Sequence, residues 1–221
     1  MKSKNFPIIL LVIFSLIPII RWASLEPLAL RFTDFNSTMT SFGQITGLLG
    51  MTLFALNLIL SNRTRFFDKL FSGLHHFYNF HKWLGSLSFS LLLFHPLFLV
   101  IKYLSISTYE AALFLLPNGY NLAVTYGIVA LLGMIVLLGV TLYFKIKYHL
   151  WRFSHKFMVV IFIFAILHSF LISSDISRDM FLRYYILFFS LVGLSLGAYR
   201  AFFRLLFNKD YEFIVKRINV L

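Results

Sequence analysis

The chain contains no cysteine, which excludes disulfides, thiolate metal sites and redox thiols as sources of stability or chemistry. It is also poor in acids. Only 8 Asp and Glu stand against 20 Lys and Arg, and Glu26, Asp34, Glu110, Asp175 and Asp179 all fall in or beside the connections between apolar runs. A carboxylate-rich cation site at the middle of those runs is therefore ruled out. No period of 20 to 50 residues repeats and no low-complexity tract occurs, which argues against a repeat array. No GxGxxG opens a strand-to-helix unit, so the glycines of "GLLG" and "GSL" read as helix-packing positions and nothing here binds a nucleotide.

Apolar surface is present in excess. Hydrophobic residues make up 60% of the 221 positions, 28 of them Phe, and the mean hydropathy is +0.85, more than a soluble domain of this size buries. The bilayer must act as solvent. About 20 apolar residues cross a hydrocarbon core roughly 30 Å thick, and six such stretches are expected, near 6–23, 42–61, 80–104, 121–144, 152–173 and 179–206. The first follows Lys2 and Lys4 like a secretory signal but lacks a small-residue cleavage site, so it reads as a retained helix. The expected fold is an all-α membrane protein, a six-helix multi-pass bundle of the plasma (inner) membrane.

The net charge of +12 would suggest nucleic acid in a soluble protein, but its distribution says otherwise. Fifteen of the 20 basic residues fall at the termini or in the connections after the second and fourth stretches, among them Arg63, Arg65, Lys82, Lys147, Arg152, Lys156, Arg200 and Arg204. The other side holds Arg21, Arg31, Lys102, Arg178 and Arg183, balanced by the five acids named above. The positive-inside rule puts both termini in the cytoplasm, and nucleic acid drops out as a partner. Segment 62–80 mixes cations with Phe and Tyr and reads as lying along the inner membrane surface. The tail "YEFIVKRINVL" alternates like a strand.

Seven histidines remain to be sorted by depth. His75, His76 and His149 lie in cytoplasmic connections, where an interfacial imidazole needs no special role. His81 and His95 stand 14 residues apart on the third stretch, and His155 and His168 stand 13 apart on the fifth. Each pair spans roughly 20 Å of helix. Because both helices run in the same direction, His81 shares the inner level with His155, and His95 shares the outer level with His168. A lone buried histidine is more often helix-helix glue than a ligand. Four at matched depths are harder to dismiss. A bare metal ion usually wants three or four protein ligands, whereas haem iron needs two axial ones. Two imidazoles per level fit two stacked six-coordinate haems. The angles are less favourable: at 3.6 residues per turn, 14 residues return to within about 40° of the start and 13 residues land about 140° away. A straight fifth helix would therefore present its two histidines on different faces, so either the haems are rotated or that helix is bent.

"HKWLGSLSFSLLLFHP" (81–96) and "WRFSHKFMVVIFIFAILHSF" (151–170) resemble the paired haem-ligand helices of the ferric reductase and NADPH oxidase superfamily, and "FGQITGLLGMTLFALNLILSNR" (42–63) is similar to its second helix. The chain also resembles in size the haem subunit of methionine sulfoxide reductase systems, but His81 departs from that pattern and favours the two-haem branch. The resemblance covers roughly 42–206. It implies that His81 and His155 ligate an inner b-type haem and that His95 and His168 ligate an outer one. It further implies electrons from NAD(P)H and FAD on the cytoplasmic side, carried to oxygen (giving superoxide, the favoured acceptor) or to ferric iron outside. On this reading residues 1–206 form the transmembrane haem domain. Residues 207–221 resemble the start of a flavin-binding barrel, supplied by a longer chain or by a partner dehydrogenase.

Lys82, Arg152 and Lys156 lie beside the inner level and are candidate partners for haem propionates, with positive-inside topology as the plainer explanation. Arg31, Lys102 and Arg178 have the corresponding place outside, or attract an anionic ferric chelate. Trp83, Phe89, Phe94, Phe157, Phe162 and Phe164 face haem or lipid. A different class of protein, a haem-free transporter or membrane scaffold with helix-gluing histidines, stays open on the sequence.

Overall fold

The computed structural model describes residues 6–62, 71, 74–117, 121–142, 144 and 146–203. Among these the secondary structure is helical, in the order α1 (Phe6–Leu25), α2 (Leu28–Arg31), α3 (Phe35–Ser61), α4 (Leu74–Leu104), α5 (Thr108–Phe114), α6 (Leu122–Leu142), α7 (Tyr148–Lys156), α8 (Met158–Leu171), α9 (Asp175–Arg178) and α10 (Met180–Ala198), which runs into a π-helical turn, Tyr199–Phe203. Six spans are long and apolar enough to cross a membrane: Phe6–Leu25, Phe35–Ser61, His75–Leu104, Leu122–Thr141, Tyr148–Leu171 and Met180–Phe203. The molecule is an all-α, multi-pass membrane protein. The strand-like tail, residues 207–221, lies outside the described residues.

Three features differ most from the sequence expectation, each for a local reason. Helix α3 starts seven residues early because Asp34 caps it, its carboxylate accepting from the Ser37 N–H at 2.9 Å. That backbone bond, then the Ser37 hydroxyl, holds the Asp34 carboxyl below the usual carboxylate range. Helix α4 starts at Leu74, so the end of the segment expected along the membrane surface is instead its first turns; residues 63–70 and 72–73 lie outside the described residues. The fifth span is interrupted at Phe157, whose N–H bonds the Ser154 carbonyl at 3.0 Å in a tight turn between α7 and α8. Composition changes at the same place, from the charged "YHLWRFSHK" of α7, none of it buried, to the apolar "MVVIFIFAILHSFL" of α8.

Helix α3 is the central post, with Leu48, Gly50 to Leu56, Leu58 and Leu60 buried. Small residues let its neighbours approach. A Cβ on Gly50 would stand 2.7 Å from Leu92 of α4, and one on Gly193 of α10 would stand 2.8 Å from the Ala55 carbonyl oxygen. Ser88 of α4 also donates to the Gly50 carbonyl at 2.9 Å. The core around the post includes Trp22, Met51, Phe54, Phe162, Leu182 and Ile186. Helix α1 is tied to α10 by Tyr185, which donates to the Phe14 carbonyl at 2.6 Å.

At one end the connections between spans are knotted around Arg31, whose side chain is 4% exposed. Its guanidinium donates to Asp175 at 3.1 Å, to Gln44 at 3.2 Å and to the Trp22 carbonyl at 3.1 Å, and lies 4.1 Å from the Trp22 ring. Arg31 is thus committed within the protein rather than held ready for a haem propionate or a chelate. Nearby, Arg21 forms a two-pronged pair with Asp179, one prong at 3.1 Å.

Candidate functional site

The four matched histidines come together as two pairs. His81 of α4 and His155 of α7 have ring centroids 6.4 Å apart at 75°; His95 of α4 and His168 of α8 have theirs 6.1 Å apart at 69°. The interruption at Phe157 bears on the angles: His155 and His168 belong to two helices, so the 13-residue step need not follow one straight axis.

The second pair, His95–His168, is held by one device used twice. His95 Nδ1 lies 2.7 Å from the Gly43 carbonyl and His168 Nδ1 lies 2.7 Å from the Ala123 carbonyl. A carbonyl only accepts, so each Nδ1 carries the proton and each Nε2 keeps its lone pair. Four residues further along each helix stands a glycine. A Cβ on Gly47 would be 2.8 Å from His95 Nδ1, and one on Gly127 would be 2.6 Å from His168 Nδ1. The carbonyl of residue i in a helix points toward residue i+4. Only a residue without a side chain there lets an imidazole ring reach it. The first pair is held less closely: the Asn57 backbone lies beside His81, but neither His81 Nδ1 nor His155 Nδ1, both buried, meets a partner at hydrogen-bond distance and angle among the described residues.

The second pair opens on a cavity of about 480 Å³ between α3, α4, α6 and α8. Its walls are Leu48, Met51, Leu92, Leu131, Met134 and Ile161, and its polar groups gather toward Thr40, Gln44, Ser173 and Asp175, where the Arg31 knot closes the end. Phe162, fully buried, lies 4.7 Å from the Phe54 ring and midway along the chain between His155 and His168.

Two nitrogens bonded to one iron at about 2.0–2.1 Å, each roughly 1.2 Å from its ring centre, call for centroids roughly 6.5 Å apart. The pairs, at 6.4 and 6.1 Å, come close to that spacing, and empty space for a flat group lies beside the second; the residues there fit haem in spacing and in room, and those of the first pair fit it in spacing. Among the described residues no group of three His, Asp or Glu is placed to hold a bare metal ion.

Residues 46–166 match the family described as ferric reductase like transmembrane component. The chain belongs to this family. The match runs from α3 into α8 and takes in His81, His95 and His155, with His168 two residues beyond it. No curated protein matches the chain. Membership of the ferric reductase like family makes it an integral membrane oxidoreductase of the transmembrane electron-transfer type.

Other residues singled out in the sequence are dispersed. Lys82 and Arg152 are exposed and Lys156 is half-buried. His75, His76 and His149 are exposed, as interfacial histidines should be. Among the aromatics Phe162 is inside and Phe89 packs against the core, whereas Trp83 is 76% exposed and Phe94 and Phe157 face outward. Sequence reasoning missed the carbonyl-and-glycine cradles. Their signal was present, as "GQITG" (43–47) and "AVTYG" (123–127), a small residue and then a glycine four positions on.

Proposed function

We propose that this protein is the membrane part of an oxidoreductase that carries electrons from a cytoplasmic flavin and NAD(P)H donor, on a fused or partner domain, to an acceptor on the far side. His81 and His155 would hold an inner b-type haem and His95 and His168 an outer one. The observation that carries this reading is the pair of imidazole spacings, 6.4 and 6.1 Å, at two depths. When bound, haem iron supplies a reversible one-electron carrier at each level. The chain's own contribution is to fix the ligands. Gly43 and Ala123 hold the outer imidazoles in the tautomer that leaves Nε2 free, and the apolar walls keep water from the site. Both termini are proposed to be cytoplasmic on the distribution of Lys and Arg. Lys82, Arg152 and Lys156 are proposed as partners for propionates at that side.

Dioxygen is the favoured acceptor, taking one electron to give superoxide. The support is the apolar lining of the cavity and the commitment of Arg21 and Arg31 to Asp179 and Asp175, which leaves little positive field there to draw an anionic chelate. Ferric reduction is the second reading, favoured by the exposed Arg178 on the same side. The deciding comparison is turnover after reduction. Reoxidation by air with superoxide dismutase-sensitive dye reduction is expected, and reoxidation by ferric citrate without oxygen, faster than by air, would move the assignment to iron. A haem-free transporter or scaffold predicts no Soret band from haem-replete cells.

A further inference from the structure

Arg200 was read from the sequence only as one of the cations that mark the cytoplasmic side, but the packing of α10 gives it a more specific place. Gly193 and Gly197 form a GxxxG seam that lets α10 rest on α3. A Cβ on Gly197 would stand 3.4 Å from Leu58 of α3 and 3.4 Å from Val159 of α8. Leu58 follows Asn57, whose backbone lies beside His81, and Val159 lies four residues after His155, so the seam brings the end of α10 near the His81–His155 level. The chain then enters the π-helical turn Tyr199–Phe203, in which Ala201 is buried with Met158 and Val159. Such turns occur frequently at functional sites. Arg200, half-buried in this turn, acts electrostatically on both His81 and His155. Among the described residues no hydrogen bond or ion pair engages its guanidinium. Among the described residues neither of the same two histidines makes an Nδ1 hydrogen bond like the 2.7 Å bonds of the other level.

We propose that Arg200 is the positioning charge of the His81–His155 level, favouring the reduced state of the group bound there. The inference rests on the haem reading above. Its physical basis is simple. Adding one electron to an iron between two neutral imidazoles adds one negative charge, and a fixed cation nearby in a low-dielectric surrounding stabilises it. Nothing else changes: no bond forms or breaks, and the electron comes from the reductant in the cuvette.

The test is a redox titration of the purified full chain followed by the haem absorbance, with His81→Ala used to assign the component belonging to the first pair. Arg200→Gln is expected to make that component about tenfold harder to reduce, a fall of ~59 mV for one electron, while the His95–His168 component stays where it is. Arg200→Lys, which keeps the charge, is expected to stay near the wild-type value. Loss of the first-pair haem in Arg200→Gln with retention at wild-type potential in Arg200→Lys would also support the role of the charge. Unchanged potentials in Arg200→Gln, equal shifts of both components, or haem loss in both variants would overturn it. A colourless wild type overturns the haem reading itself, a result distinguishable from all of these.

Discussion

The imidazole rings of His95 and His168 can reach their carbonyls only because Gly47 and Gly127 carry no side chain. Gly47→Ala and Gly127→Ala each place a methyl within 3 Å of a ring nitrogen that is tied by a hydrogen bond. Overpacking of this kind costs about 1–3 kcal/mol. Here it should appear as loss of the second-pair haem with the first retained. Gly139→Ala is the control. Its Cβ would meet nothing within 4 Å, so its haem spectrum should stay close to wild type. Equal haem loss in all three would show that the cradle is not the cause. The four histidines were legible in the sequence because spacing along a helix converts directly into depth. Their cradles were not, because the partner carbonyl lies 52 residues from His95 and 45 from His168.

Helices explain where the sequence expectation was good and where it was not. All six spans were legible from hydropathy, since 20-residue apolar runs have few other fates. From the sequence the interruption at Phe157 is one of two alternatives, because no proline or glycine marks it; it coincides with a change of environment between a polar α7 and an apolar α8. The burial of Arg31 was also illegible, since its acids come from two separate connections, Glu26 and Asp175. Arg31→Gln should leave Asp175 without its cation and cost roughly 3 kcal/mol, a lower melting temperature in detergent. An unchanged melting temperature would show the knot to be ornamental. The seam of α10 on α3 is more rigid still. Gly193→Ala sets a Cβ 2.8 Å from a backbone oxygen, and should destabilise more than Gly43→Ala, which meets a movable side chain.

One ion pair gives the folded bundle a dependence on acid pH. The Arg21 guanidinium, bonded to Asp179, holds that carboxyl below the usual carboxylate range, with the Leu182 N–H contributing. An unfolded Asp titrates near about 3.9. The stabilisation is therefore complete above that pH and is lost as pH falls through the lower folded value. Asp179→Asn should flatten the acid side of the stability profile, and a profile identical to wild type would remove the pair as its source. The chain thus places its ion pairs in the connections at one end and its two imidazole pairs along the spans.

Haem stoichiometry by pyridine haemochrome, on wild type and on His81→Ala, tests the central claim most directly. Two imidazole pairs require about two b-type haems per chain in the wild type and about one in the variant, the remaining one belonging to His95 and His168. A wild type with no haem, or a His81→Ala protein that still holds both, would contradict it.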